Sequence, residues 1–218
     1  MSTSANGQQL LVQVKAAAGR PGPQLSLPVV RSPAAWLRPV ATEKHLQNPD
    51  DLRCLTRWRN RFAKSYLTEF EATESRTSDW LARSVGPDNT RILFMVEDSD
   101  RRTCGYMGIA NIDWSARCGE ADAIVRGRDT PRGVMTEALR TLLDWARGQL
   151  GLETMNVRVR SDNTALEFYC KMGFVEQKRV PLNQREEPGM TIWYKDPALD
   201  RSERNLVYLT LQDEARRP

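Results

Sequence analysis

Residues Arg126–Ala146 read RGRDTPRGVMTEALRTLLDWA. The second half has helical periodicity. Met135, Leu139, Leu142 and Ala146 recur at four, three and four residues, and Ala138, Leu143 and Trp145 widen the stripe. The first half brings Arg126, Arg128 and Arg132 to the place where that helix starts, with Gly133 at the junction. The first N–H groups of a helix have no internal acceptor, and the helix dipole adds positive potential there. A glycine lets a ligand approach the backbone. The small side chains that follow leave the amides uncovered, so the stretch suits an anion such as a pyrophosphate. A plainer reading serves as well at this point: Thr130 as N-cap, Pro131 as first helical residue, and the arginines in solvent.

Working outward, Ile92–Glu97 (ILFMVE) is a continuous apolar run and reads as a central strand. Thr103–Asp113 and Gly119–Val125 follow as two more strands. On the other side, Met155–Arg160 (MNVRVR) alternates as a strand with Val157 and Val159 on one face. A helix from Thr164 to Gly173 carries a Thr164–Glu167 capping box, and Phe174–Leu182 and Leu206–Leu211 read as closing strands. Trp36–Val40 reads as an early strand. Short helices are expected from Asp50 or Asp51 through Trp58 and over Thr77–Val85. Residues 183–204 read as a polar, arginine-bearing connection, and residues 212–218 as a tail. Residues 1–33, with GRPGP at 19–23, read as an N-terminal extension that is loosely ordered or contacts a partner. The domain proper is then 34–211, of the α+β class.

Composition narrows the chemistry. The 218 residues are 40% hydrophobic and 28% charged, with a net charge of +4, which is ordinary for one sizeable core. The mild excess of positive charge suits a small anion, and no basic run or aromatic-studded basic motif argues for nucleic acid. His45 is the sole histidine, which removes HExxH zinc sites and histidine-rich metal clusters. The cysteines Cys54, Cys104, Cys118 and Cys170 form no CxxC pair and are expected to be reduced and mostly buried. No apolar stretch reaches membrane-spanning length, and the N-terminus lacks the pattern of a signal peptide. The expectation is a cytoplasmic protein with no metal, no membrane and no nucleic-acid partner.

Residues Ser161–Phe174 read SDNTALEFYCKMGF. Here the chain resembles the GCN5-related N-acetyltransferases, the GNAT family, in which an N-x-x-A-x-x-F/L-Y-x-x-x-G-F stretch follows the fifth strand. Asn163, Phe168, Tyr169, Gly173 and Phe174 stand in register, and Ala165 is shifted by one. The loop Thr130–Met135 is similar to the family's pyrophosphate loop Q/R-x-x-G-x-G/A and departs from it at the first and last positions. The wording GVMTEAL is similar to the branch that acetylates ribosomal-protein N-termini and nucleotide-linked amino sugars. The resemblance covers about residues 36–182 and continues weakly to 211.

The resemblance implies the GNAT fold: a mixed, mostly antiparallel central sheet with flanking helices and a cleft where the family's fourth and fifth strands splay, here 119–125 and 155–160. It implies acetyl-CoA as co-substrate, held by Ile124, Val125, Arg126, Arg128, Arg132, Gly133, Val134, Met135 and Thr136, and by Asn163 and Lys171 on the second motif. It assigns Tyr169 to protonate the departing thiolate and a backbone amide at 124–126 to the thioester oxygen. Glu120 is the expected base. Asp113, at the end of the third strand, is a second candidate for the base and a candidate for substrate binding. The segment RWRN at 57–60 resembles the acceptor mouth of the same branch, which makes Arg59 and Asn60 candidates for substrate binding. The expected acceptor is a primary amine on a small polar molecule, with a nucleotide-activated amino sugar first. A protein N-terminus, an aminoglycoside-type acceptor and a non-catalytic acyl-CoA binder stand as alternatives, and a homodimer is left open.

Overall fold

A computed structural model describes residues 3–21, 25–31, 34–128 and 130–212. The chain falls into two compact units, Met1–Trp58 with Thr73–Glu153, and Arg59–Ala72 with Thr154–Pro218. Each unit is built from two stretches of chain.

In the first unit the elements are α1 (Thr3–Ala17), β1 (Leu27–Val29), β2 (Ala35–Pro39), α2 (Pro49–Arg61, its last three residues counted with the second unit), α3 (Glu74–Trp80), β4 (Ile92–Asp98), β5 (Thr103–Asp113), β6 (Cys118–Arg126) and α4 (Val134–Gly148). A single π turn, Leu81–Val85, prolongs α3. The strands lie in the order β1-β2-β4-β5-β6, each pair antiparallel. Every residue of β4 is buried, as its unbroken apolar run requires. The stripe of α4 is buried throughout, from Met135 to Ala146, and Trp145 meets Phe94 of β4 edge-on at 5.5 Å. Leu139 and Leu142 are fully buried, each stabilising the fold by about 1.5–3 kcal/mol relative to exposure.

Two features of this unit depart from the expectations. Residues 3–17 form a helix in place of a loose extension. Leu11 and Val14 are buried, and a Cβ on Gly7 would stand 2.1 Å from the Leu150 carbonyl oxygen, so α1 lies close against that backbone. Lys15 Nζ donates to the carbonyls of Val85 and Asp88 at 2.7 and 2.6 Å. The linker reading of 19–23 falls partly outside the described residues. The cysteines also differ: Cys104 alone is buried, Cys54 and Cys118 are half-buried, and Cys170 is exposed.

The second unit contains β3 (Thr68–Phe70), β7 (Thr154–Arg160), α5 (Ala165–Lys171), β8 (Phe174–Glu187), β9 (Met190–Lys195) and β10 (Asn205–Leu211), with strand order β7-β10-β8-β9-β3, again antiparallel. The polar connection expected at 183–204 is in large part a hairpin. β8 runs on to Glu187 and turns through Pro188 and Gly189 (φ +75°) into β9, which pairs Leu182 with Lys195. Of the expected tail, Gln212 donates from its amide to Gly173 O at 3.1 Å, and residues 213–218 lie outside the described residues. The fold is α+β, as expected.

Candidate active site

The first unit carries the loop read as an anion site. β5 and β6 pair regularly from Asp122 back to Glu120, but the register then shifts: Gly108 stands opposite Asp122 and Tyr106 opposite Val125. Ala123 and Ile124 therefore share one position opposite β5, a β-bulge, and Ala123 takes a positive φ of 53°. A bulge bends the strand and re-aims its backbone, and such sites recur beside active centres. Nothing in the wording of residues 119–126 signals it. Val125 is buried, Ile124 half-buried and Arg126 exposed.

Beyond β6 the loop is fastened at several points. Gly127 and Arg128 both donate their amides to Cys104 O, at 2.9 and 3.2 Å. The Trp58 ring lies on Gly127 so closely that a Cβ there would stand 2.0 Å from it, and Tyr106 stacks on Trp58 with ring centroids 6.3 Å apart. Trp58 thus belongs to this loop. Arg128 is not a solvated arginine: its Nη2 donates to Asp98 Oδ2 at 3.0 Å. Arg132 is exposed and forms no ion pair among the described residues.

Helix α4 starts without a side-chain cap. Gly133 takes the left-handed conformation, φ +96° and ψ −16°, which costs any other residue about 1–2 kcal/mol. The Val134 amide reaches Pro131 O at 3.3 Å and Glu137 N reaches Gly133 O at 2.9 Å. The amides of Gly133, Met135 and Thr136 have no acceptor among the described residues. The side chains of Val134 and Met135 are buried, Met135 sulfur lying 3.0 Å from where a Gly105 Cβ would be, so these two residues offer a ligand their backbone alone. Thr136 is half-exposed. The carboxylate that α4 carries in its first turn, Glu137, is paired with Arg140 at 2.5 Å. The arrangement fits a diphosphate: open amides, a helix dipole and one unpaired guanidinium.

The two candidate carboxylates, Glu120 and Asp113, differ. Glu120 Oε2 accepts from Asn111 Nδ2 across the β5–β6 pair at 2.9 Å. Asp113 is employed in a turn. Its Oδ1 accepts from the Ser115 hydroxyl and from the amides of Ser115 and Ala116, and the Ser115 hydroxyl foremost holds this carboxyl below its ordinary range. These contacts use Oδ1 alone.

In the second unit Tyr169 is buried on α5, between Phe168 at 5.7 Å and Phe174 at 6.0 Å. The helix is capped by Asn163, whose Oδ1 accepts from Ala165 N at 2.9 Å. Thr164 makes no side-chain cap, which corrects the Thr164–Glu167 box. Lys171 is exposed, 3.6 Å from Glu167.

Arg59 and Asn60 are tied into their own loop. Arg59 donates to Thr68 O at 2.6 Å and Phe70 O at 3.3 Å, and lies over the Phe70 ring at 3.9 Å. Asn60 exchanges two bonds with the Ala72 backbone, at 2.9 and 2.8 Å. Both clamp residues 62–72, so in this structure the RWRN segment has a structural role. A third anchor went unread in the sequence. Arg160, almost fully buried, donates to both Asp162 oxygens, to Tyr66 O and to Glu69 Oε1, which also accepts from Trp193 Nε1 at 2.7 Å. An arginine closing the alternating MNVRVR strand is the only signal of it.

Among the described residues no group of three metal-ligating side chains occurs, and no helix is long and apolar enough to cross a membrane.

A family model described as an acetyltransferase (GNAT) domain matches residues 36–175. No curated protein matches the sequence. Among solved structures, a spermidine N-acetyltransferase from Vibrio cholerae in complex with CoA and spermine is 17% identical, covers 81% of this chain and 94% of its own, and superposes with a TM-score of 0.61. A probable GNAT-family acetyltransferase from Chromobacterium violaceum is 19% identical over 87% of this chain and 93% of its own, TM-score 0.59. The V. cholerae spermidine/spermine N-acetyltransferase SpeG with manganese is 18% identical over 81% and 91%, TM-score 0.55. At these identities the likeness is one of fold, and it reaches no particular branch.

Proposed function

Because the chain belongs to the GNAT acetyltransferase family, an acetyl-CoA-dependent class acting on amines, we propose that it acetylates the primary amine of a small polar acceptor by direct attack. The observation that carries the assignment to named residues is the start of α4, where open amides follow a left-handed Gly133 beside unpaired Arg132. The amides of Gly133, Met135 and Thr136, with Arg132, hold the diphosphate of the co-substrate. The free Nδ2 of Asn163 and the ammonium of Lys171 serve the rest of the CoA arm.

The co-substrate supplies an activated acyl carbon. The chain supplies proton positions and dipoles. A carboxylate at Glu120, directly or through water, accepts the proton that the attacking nitrogen must lose. An amide within Ile124–Arg126, re-aimed by the bulge, donates to the thioester oxygen as it gains charge. Tyr169 donates its phenolic proton to the sulfur as the carbon–sulfur bond breaks. A phenol of pKa about 10 can serve a thiol of about 8.5 without a large penalty.

The expectation of a nucleotide-activated amino sugar rests on Arg59 and on the 183–204 stretch. The first is clamped and the second is largely a hairpin, so neither favours it over other amines. A polyamine joins the candidates because the similar V. cholerae enzyme is recorded with spermine. The deciding experiment is a thiol-release screen with acetyl-CoA over sugar nucleotides, aminoglycosides, peptides and polyamines. Amine-dependent release is expected with one class. CoA binding without release for any amine would make the chain a binder and sink the catalytic reading.

A further inference from the structure

Asp98, at the end of β4, is nearly fully buried and faces two directions. Its Oδ1 accepts from the amides of Asp100 and Arg102, each at 3.0 Å, and so closes the β4–β5 turn. Its Oδ2 accepts from Arg128 Nη2 at 3.0 Å and lies 3.5 Å from Arg102 Nε. Arg128 stands one residue past Gly127, and both amides bond to Cys104 O, so a single carboxylate links the β4–β5 hairpin to the loop that opens α4. Of the other four N–H donors of that guanidinium, the one on Nε is buried and finds no acceptor among the described residues, while the side chain as a whole is 36% exposed.

We infer that Asp98 is a positioning residue for CoA: through Arg128 it fixes the chain at Gly127 and Arg128, ahead of the α4 amides, and it leaves the exposed N–H groups of the Arg128 guanidinium for a diphosphate oxygen. This rests on the acetyl-CoA reading above. The carboxylate itself does not touch the co-substrate. It removes the ordering cost that a loose loop would impose on binding.

Asp98→Asn separates the two duties. A carboxamide keeps an oxygen for the turn amides but replaces the charge facing Arg128 with an N–H donor. Acetyl-CoA saturation kinetics, CoA calorimetry and thermal melting are measured on Asp98→Asn, Arg128→Ala, their double variant and Asp100→Asn, whose exposed carboxylate pairs with Arg102 alone. Asp98→Asn is expected to raise the KM for acetyl-CoA and the Kd for CoA about tenfold, with kcat within about twofold and the acceptor KM unchanged. Arg128→Ala should do the same, the double variant no more than the worse single one, and Asp100→Asn nothing. A lower Tm with unchanged Kd and KM, or losses that multiply in the double variant, would overturn the inference. Wild-type protein that binds no CoA would overturn the parent reading as well; wild type and Asp98→Asn binding equally well would remove this inference alone.

Discussion

Helices α4 and α5 begin in opposite ways. α4 opens on a left-handed glycine, without a side-chain cap, and leaves amides without described acceptors. α5 opens on Asn163, whose carboxamide oxygen closes the first turn. The open start carries small or buried side chains and presents backbone. The closed start fixes a short helix so that one side chain, Tyr169, sits firmly between two aromatic rings. A helix terminus left unsatisfied costs stability, which is the reason for the proposal that the open one binds and the satisfied one places a side chain.

The largest expected effect breaks the comparison at α5. Tyr169→Phe should lower kcat about 10²–10⁴-fold and leave the CoA Kd unchanged by calorimetry; equal turnover would show that the phenol only packs. At α4, Gly133→Val forces a branched residue into φ +96°. It should weaken CoA about tenfold and lower stability by about 1–2 kcal/mol, read by calorimetry and urea unfolding. A variant with native CoA affinity would end the cradle model.

Asn163 sharpens the contrast. Asn163→Ala should cost about 0.5–2 kcal/mol of stability through the lost cap. Asn163→Asp keeps the capping oxygen and removes the amino donor, so it should hold its Tm and still bind CoA several-fold more weakly. Loss of Tm without loss of CoA in both would confine Asn163 to capping.

The smallest effect concerns the turn before α5. Hydrogen bonds from Arg160 foremost hold the Asp162 carboxyl below its ordinary 3.8. A carboxyl depressed in the folded state contributes stability above its unfolded pKa and loses it as pH falls through the folded one. Wild type should therefore lose more Tm than Asp162→Asn on acidification below about pH 4. Parallel pH curves would show that the pair contributes nothing to stability.

Much of this was legible because the signals were local. The period of Met135–Ala146, the run at 92–97 and the alternation at 155–160 each imply their element through side-chain spacing alone. The Gly133 junction was legible because few other residues tolerate its backbone. What escaped depends on distant partners. Residues 57–60 resembled an acceptor mouth, yet Arg59 and Asn60 bond backbone groups about ten residues on, which spacing cannot reveal. α1 escaped because its apolar positions are few and Gly7 weakens it as a helix, and the Leu150 backbone that needs that glycine is 143 residues away. The β8–β9 hairpin carried a Pro188-Gly189 turn signal, but the end of β8 from Gln184 is exposed and polar, and the apolar Met190–Tyr194 is too short, alone in a polar stretch, to imply its pairing. The Ala123 bulge has no compositional mark, since alanine has no preference for positive φ.

The three-residue strand β3 pairs with β9, joining Thr68 to Ile192 and Phe70 to Met190. During synthesis, then, residues 68–70 leave the ribosome more than a hundred residues before their only strand partner exists. Arg59 and Asn60, which fold that excursion back on itself from within fourteen residues, are groups available to hold it in the interval, and a pairing of such sequence separation closes late in folding.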